Sequence, residues 1–254
     1  MRLKDKVAVI TGAAQGIGAA IAEGYAKEGA KVVVGDIVDG NMVVEAIEKA
    51  GGDALYVKMD VTVQDDCDAM AKAAVERFGA IDILVNNAAM YGNIVKKPFT
   101  EITTDEWNRV MQVNTSGPFH CTKAVFPFMK DKGGSIINVA SSVVFEAPPS
   151  FPHYVASKGA VFAFTRCMAK ELGEYNINVN TLAPGYTQSE GSKNIEKHRT
   201  TSGPKSVEIA VQKRCLKKSC LPEYMVGTAI FLASEDSAFI TGQLVLIDGG
   251  ASFH

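Results

Sequence analysis

Tyr154 and Lys158 stand four residues apart in the segment HYVASKGAV, a spacing that puts both side chains on one face of a helix. A phenol ionises near pH ~10, so a tyrosine acting as a base near neutrality needs its phenolate stabilised by roughly 3 pH units, about 4 kcal/mol. A lysine ammonium one helical turn away can supply that positive charge. His153 is an alternative base, but adjacent helical residues face about 100° apart, which directs it to a pocket wall or the surface. A lone Tyr-x-x-x-Lys pair is usually a surface contact, so its weight depends on what accompanies it.

What accompanies it is TGAAQGIG, immediately after the apolar run VAVIT. Gly12, Gly16 and Gly18 there allow a tight strand-to-helix turn, with Gln15 and Ile17 between them, and let backbone N–H groups approach a pyrophosphate at a helix N-terminus. Asp36 closes the next β-branched run, KVVVGD, where a carboxylate would bond the ribose hydroxyls of an adenosine and repel a 2′-phosphate. Ala13, Ala14, Gln15 and Ile37 offer no cation to favour that phosphate, so NAD is expected rather than NADP. A nucleotide-binding turn together with a Tyr/Lys helix implies hydride transfer, with the phenol moving the accompanying proton.

A third local signal is Pro118. It has no N–H, so in a helix through VNTSGPF the carbonyl of Asn114 loses its usual donor and is free to hold a water, with a local kink.

The elements that must carry these residues are regular. VAVIT, KVVVGD, ALYVKMD, DILVNN, SIINVAS, INVNTLA and QLVLID are short apolar runs separated by helical patterns, among them VTVQDDCDAMAKAAVERF, DEWNRVMQVN and EYMVGTAIFLAS. Strands that are apolar on both faces and alternate with helices predict an α/β fold: one doubly wound, parallel, seven-stranded Rossmann sheet in a single domain over residues 1–254. The stretch from Pro184 to about Ser219 reads as irregular, with a substrate lid at about 186–219 that is mobile without ligand, given Gly191, Gly203 and Pro204. A net charge of −2 gives no reason to expect nucleic acid. No apolar stretch reaches the ~20 residues of a membrane span, and MRLKDK leads straight into a strand, so no membrane association and a cytoplasmic location are expected. Cys67, Cys121, Cys167, Cys215 and Cys220 form no pattern with metal-ligand spacing, nor do His120, His198 and His254, so no metal is expected.

The chain resembles the short-chain dehydrogenase/reductase family over essentially its whole length. The matching motifs arrive in the family's order: TGAAQGIG, Asp60-Val61, NNAA at Asn86 to Ala89, Asn114, Ser141, Tyr154, Lys158 and Pro184-Gly185. The resemblance implies a catalytic set of Asn114, Ser141, Tyr154 and Lys158. The family spacing selects Ser141 over Ser142 to bond the substrate oxygen. It implies that Lys158 and Tyr154 bind the nicotinamide ribose, that Asp60 and Val61 contact adenine, and that Asn87, Ala88, Pro184 and Gly185 line the cofactor. Ser189 and Thr187 replace the family's usual Thr and aliphatic residue there. Trp107 is implied to be a packing anchor, read here as core. Substrate positions implied are Ser141, Val143, Phe151, His153, Tyr154 and Tyr186, with Met90, Tyr91 and Phe145 nearby. A homotetramer is also implied, and the apolar run AVFAF from Ala160 to Phe164 exceeds what one helix face needs.

The expected activity is hydride transfer between NAD and a small-molecule secondary alcohol or ketone, cyclic or aromatic to suit the apolar and aromatic pocket. Three alternatives stand beside it: an NADPH-type ketoacyl-thioester reductase, a dehydrogenase of an anionic hydroxy substrate, and a non-enzymatic dinucleotide-binding protein. The anionic reading comes from residues 186–219, where eight basic residues face three acidic ones, a balance of +5 for which ordinary solvated lid charges are the favoured explanation.

Overall fold

In the computed structural model, residues 1–197 and 206–253 are described. The seven apolar runs form the strands β1 (Val7–Thr11), β2 (Lys31–Asp36), β3 (Asp53–Lys58), β4 (Ile83–Asn86), β5 (Gly134–Val139), β6 (Ile177–Pro184) and β7 (Leu244–Ile247). They pair in parallel in the order β3-β2-β1-β4-β5-β6-β7. Strand order reverses between β1 and β4, and ligands of such sheets bind outside the carboxyl ends of the strands at that reversal.

The two-sided burial inferred from the sequence is visible residue by residue. Ala8, Ile10, Val32 and Val34 point into one apolar layer, closed by α1 (Gly16–Lys27), α2 (Asn41–Lys49) and α10 (Glu223–Ala233). Val9, Val33, Leu84 and Ile136 point into the other, closed by α3 (Gln64–Phe78), α5 (Gly117–Met129) and α7 (Pro152–Leu172). The central strands thus lose water from both faces, which is why their sequences are continuously apolar, while β3 and β7 at the sheet edges are only partly buried. The remaining helices, α4 (Thr104–Met111), α6 (Val143–Glu146), α8 (Glu190–Lys197) and α9 (Ser206–Lys213), lie about the carboxyl end of the sheet. A third apolar cluster, with Ile94, Val110, Phe151, Tyr154 and Ile195 buried at its centre, joins α4, α7 and α8 there.

Two expectations need correction, and one falls partly outside the described residues. The stretch from 184 to 219 is not irregular throughout: α8 forms because Ile195 packs into the third cluster and Ser189 accepts from the Ser192 N–H at its start. Residues 198–205, and with them His198, Arg199, Gly203, Pro204 and Lys205, lie outside the described residues, as does His254. Trp107 is not core: it is 38% exposed, on the outer side of a helix whose buried residue is Val110. That helix starts where its sequence says it should, at a capping box between Thr103 and Glu106.

Candidate active site

At the switch point the backbone shapes the cavity. Gly12 (φ +64°) and Gly16 (φ +60°) adopt the left-handed conformation that the turn requires. A Cβ on Gly12 would lie 2.7 Å from the Cα of Ala88, and one on Gly18 would strike the Gly12 carbonyl. Gly18 therefore lies beneath the turn, where it lets α1 approach β1, and does not line the cavity as the sequence suggested. The turn is stitched to the end of β4: the Thr11 hydroxyl accepts from the N–H groups of Asn87 and Ala88, both at 3.1 Å, and the Asn87 amide donates to the carbonyls of Thr11 and Gly12 at 2.9 and 2.8 Å.

Asp36 is held by main-chain donors. Its Oδ2 accepts from the Ala14 N–H at 2.9 Å and its Oδ1 from the Val38 N–H at 3.2 Å. Asp60 accepts from the N–H and the hydroxyl of Thr62, both at 2.8 Å. A cavity of about 1060 Å³ runs from these two carboxylates past Gln15, Ile17, Val61 and Ala88 to Pro184, Gly185, Thr187 and Ser189. It exceeds the ~300–1,000 Å³ typical of a single drug-sized ligand, leaving room for a dinucleotide and a second small molecule together.

Ser141, Tyr154 and Lys158 meet midway along that cavity. Ser141 leaves the carboxyl end of β5, and its hydroxyl donates to the Pro184 carbonyl at 3.3 Å and bonds the Tyr154 phenol. Ser142 turns away: its hydroxyl donates to Glu146 Oε1 at 2.8 Å, so the serine chosen by spacing is also the one facing the tyrosine. Burial pushes the Tyr154 phenol above its ordinary range, and the Ser141 bond opposes that rise. Burial also lowers Lys158 to about 8, and its ammonium lies 5.8 Å from the Tyr154 ring centre while donating to the Val139 carbonyl at 2.8 Å. Two buried groups that both prefer neutrality in isolation sit side by side, so each charge depends on the other.

Asn114 lies behind this trio and is 1% exposed. It falls in a turn of π-helix, Gln112–Ser116, between α4 and α5, where the Gly117 N–H reaches back to the Gln112 carbonyl. The widened turn precedes Pro118, which cannot donate to the Asn114 carbonyl. The irregularity expected at Pro118 takes the form of this π turn. The Asn114 side chain accepts from the Met90 N–H at 2.7 Å and donates to the Ser157 hydroxyl at 3.0 Å, tying the loop after β4 to α7.

The far end of the cavity is aromatic. Phe151 stacks on Tyr154 at 4.7 Å between ring centres, Tyr91 lies 5.2 Å from Tyr154, and Val143, Met90 and Tyr186 complete the wall. Phe145 and His153 do not line the cavity. His153 is buried behind Phe151, its Nδ1 has no hydrogen-bond partner, and desolvation lowers its pKa, so it stands apart from the phenol it might have replaced.

Three residues of this end were not distinguished in the sequence. Glu146 and Lys213 face each other across the cavity wall at 3.5 Å, joining α6 to α9. Arg214, counted above among solvated lid charges, is 2% exposed. Their sequence neighbourhoods carry no motif, and only the fold brings them together. Among the described residues no cluster of His, Cys, Asp or Glu could hold a metal, and no helix is long and apolar enough to cross a membrane.

Known proteins share this architecture along the whole chain. The family model described as enoyl-(acyl carrier protein) reductase matches residues 12–252. The chain is 40% identical to galactitol 2-dehydrogenase of Agrobacterium fabrum over 98% of each chain. It is 36% identical to the 3-oxoacyl-[acyl-carrier-protein] reductase FabG of Thermotoga maritima, over 98% of this chain and 99% of the other. A crystal structure of a short-chain type dehydrogenase/reductase from Mycobacterium marinum superposes with a TM-score of 0.90 at 32% identity, over 99% of this chain and 97% of the other. With the family model and these relatives matching over nearly the whole chain, the chain belongs to the short-chain dehydrogenase/reductase family, as an oxidoreductase that binds a nicotinamide dinucleotide.

Proposed function

We propose that the protein is an NAD-dependent dehydrogenase of a neutral secondary alcohol, cyclic or aromatic in shape. The observation that carries this reading is the placement of Tyr154, bonded to Ser141 and beside Lys158, in one cavity whose other end is closed by Asp36.

The residues present suit a dinucleotide. The N-terminus of α1 and the glycine turn open into the cavity, and the Asp36 carboxylate sits where the adenosine ribose would lie, a neighbour that a 2′-phosphate would oppose. Bound NAD supplies the hydride acceptor and a positive ring. The protein does the rest. Ser141 orients the substrate hydroxyl, and Tyr154 takes its proton as the C–H hydride departs. Lys158 supplies the positive charge that the phenolate needs, and Asn114 holds the loop at Met90 against α7.

The neutral choice follows from how the lid's charges are spent. Lys213 pairs with Glu146 at 3.5 Å, Lys193 pairs with Glu190 at 3.2 Å and Arg214 is buried, so three of the basic residues in 186–219 are already engaged by the protein itself. The wall nearest Tyr154 is apolar and aromatic. The relative named for galactitol has a neutral polyol as its substrate. A second reading, reduction of a ketoacyl thioester, draws on the relative named for that reaction, but Asp36 would oppose the NADPH expected of it. A panel of neutral and anionic secondary alcohols assayed with NAD and NADP tests the proposal. Reduction of NAD by a neutral member is expected; preference for NADP, or turnover of anionic members alone, would overturn it.

We further infer a cytoplasmic homotetramer. Trp107 on α4, Phe119 and Phe128 on α5, and Phe239 and Phe253 near the C-terminus are exposed in the single chain, as an assembly that covers them would leave them. Light scattering at micromolar concentration is expected to give four times the chain mass of 27.1 kDa.

A further inference from the structure

Arg214 directly follows α9 and is almost fully buried. A guanidinium stays charged throughout the pH range of folded proteins, so its burial requires that its N–H groups be satisfied. Its Nε donates to the Asp248 carbonyl at 3.0 Å, one terminal nitrogen donates to the Lys218 carbonyl at 3.0 Å, and the other donates to the Tyr186 carbonyl. Those carbonyls belong to three separate segments: the exit of β7, the end of the lid, and the loop that leaves β6 for the cavity wall. Among the described residues none of the partners is a carboxylate. The carboxylate of Asp248 is itself occupied by the N–H groups of Gly250, Ala251 and Ser252. An ion pair would fix one point, whereas a planar fork bonded to three carbonyls fixes three backbones relative to one another, which a lysine ammonium cannot span.

The surroundings are fitted to this side chain. Gly249 has φ +71°, and a Cβ there would lie 3.1 Å from the Arg214 Cδ; Gly250 has φ +76°, and a Cβ there would lie 3.0 Å from the Cys215 Cβ. The close approach continues in the backbone, where Cys215 and Leu216 donate to the carbonyls of Gly250 and Gly249 at 3.2 and 2.9 Å. On the other side, a Cβ on Gly185 would lie 2.7 Å from the Asp248 Cβ, and Thr187 Oγ1 donates to the Gly185 carbonyl at 2.9 Å. Gly185, Tyr186 and Thr187 all line the cavity.

We propose that Arg214 is the positioning residue of the substrate wall: its guanidinium holds the main chain at Tyr186 and registers the lid against it, so that segment 185–187 faces the cavity in one fixed conformation. The kinetic part of this inference rests on the alcohol-dehydrogenase reading; its structural part does not.

Hydrogen–deuterium exchange on Arg214→Ala, with no substrate present, tests the structural part. Peptides covering 185–188 and 215–219 are expected to exchange at least about tenfold faster, those covering β1 and β4 to remain unchanged, and millimolar guanidinium to restore protection by filling the vacated space. Unchanged exchange at 185–188, or acceleration spread evenly over the sheet, would overturn the proposal. With the best alcohol of the panel, the KM of Arg214→Ala should rise about tenfold or more while kcat stays within about threefold, and guanidinium should reverse the rise. A native KM, or a fall in kcat alone without rescue, would count against it. If Arg214→Ala does not fold, Arg214→Lys takes its place: charge is kept and the fork lost, so the same two changes are expected at smaller size, and native exchange and KM in that variant would refute the positioning role. If the native protein oxidises no alcohol, the functional reading fails while the exchange experiment still decides the role of Arg214.

Discussion

The two ends of the cavity are built from different materials. At the end beside the glycine turn, where the proposed dinucleotide would lie, the surface is shaped by main chain: the Gly12–Gly16 turn, clamped to β4 by the Asn87 side-chain amide, and the N–H groups that hold Asp36. These groups sit on the ends of β1, β2 and β4, whose residues are buried on both faces. At the substrate end the surface is side chain, contributed by the loop after β4, the short helix α6, the start of α7, and α8 and α9. Backbone geometry tolerates little variation, because a single Cβ on Gly12 collides with Ala88; side chains on short helices can be exchanged without moving the sheet. On the proposed function, one end is thus constrained to the dinucleotide, and the other is free to be fitted to a particular substrate.

Tyr154 stands where the two ends meet, and its removal should have the largest effect. Tyr154→Phe keeps the ring that stacks on Phe151 but removes the phenol hydroxyl proposed to take the substrate proton. Turnover should fall at least ~100-fold, about 2.7 kcal/mol, while NAD affinity measured by titration stays near native. A near-native rate would break the comparison, because the chemistry would then belong to neither end as described.

How legible each end was in the sequence follows the same division. The strands, the glycine turn and Asp36 are local patterns, and the fold leaves them where those patterns placed them. Tyr154 and Lys158 needed only helical spacing, whereas Ser141 was chosen over Ser142 by the family spacing that the resemblance implies. Arg214, Glu146 and Lys213 could not be read, because the contacts that set them apart, Arg214 with Tyr186 and Asp248 and Lys213 with Glu146, join segments 28 or more residues apart with no repeat or spacing to link them. Trp107 misled for a different reason: its packing role came from the resemblance, and in this chain the residue is 38% exposed. His153 misled because a helix position beside Tyr154 suggests the pocket, whereas Phe151 stands between.

Lys158 offers a test in stability rather than rate. Its pKa falls from an ordinary 10.5 to about 8 through burial. The unfolded chain therefore binds the proton more tightly than the native one, and folding below pH 8 carries the cost of burying a charge, about 3 kcal/mol for such a shift. That cost is relieved as pH rises from about 8 towards 10.5. Lys158→Met avoids it but loses the bond to the Val139 carbonyl, about 1 kcal/mol. Denaturant unfolding at pH 7 should show a net gain of about 2 kcal/mol in an inactive protein, with the gain shrinking above pH 8. Equal or lower stability would show that Lys158 is better accommodated than its burial implies.

At the dinucleotide end, Asp36→Ala removes the carboxylate held by Ala14 and Val38. The native enzyme should favour NAD over NADP by at least about tenfold in kcat/KM, about 1.4 kcal/mol, and the variant should lose most of that preference. Discrimination that survives the substitution would mean that another part of this end reads the ribose.

The smallest effect is expected at the substrate end, and it separates a neutral from an anionic ligand. Lys213 lines the cavity, but it is 57% exposed and already faces Glu146, whose other oxygen accepts from Ser142. Exposed pairs of this kind contribute ~0–1 kcal/mol. For a neutral alcohol, Lys213→Ala should therefore change KM by less than about threefold, and raising the salt concentration should matter little. For an anionic substrate the lysine would have to leave Glu146 to bind it. KM would then rise well beyond about threefold in the variant, and in the native enzyme it would climb steeply with salt as screening takes hold. Measuring KM for the preferred substrate at low and high salt, in native and Lys213→Ala proteins, decides between them. A flat response assigns the basic residues to holding α9 against α6; a steep one makes Lys213 part of the substrate contact and removes the neutral reading.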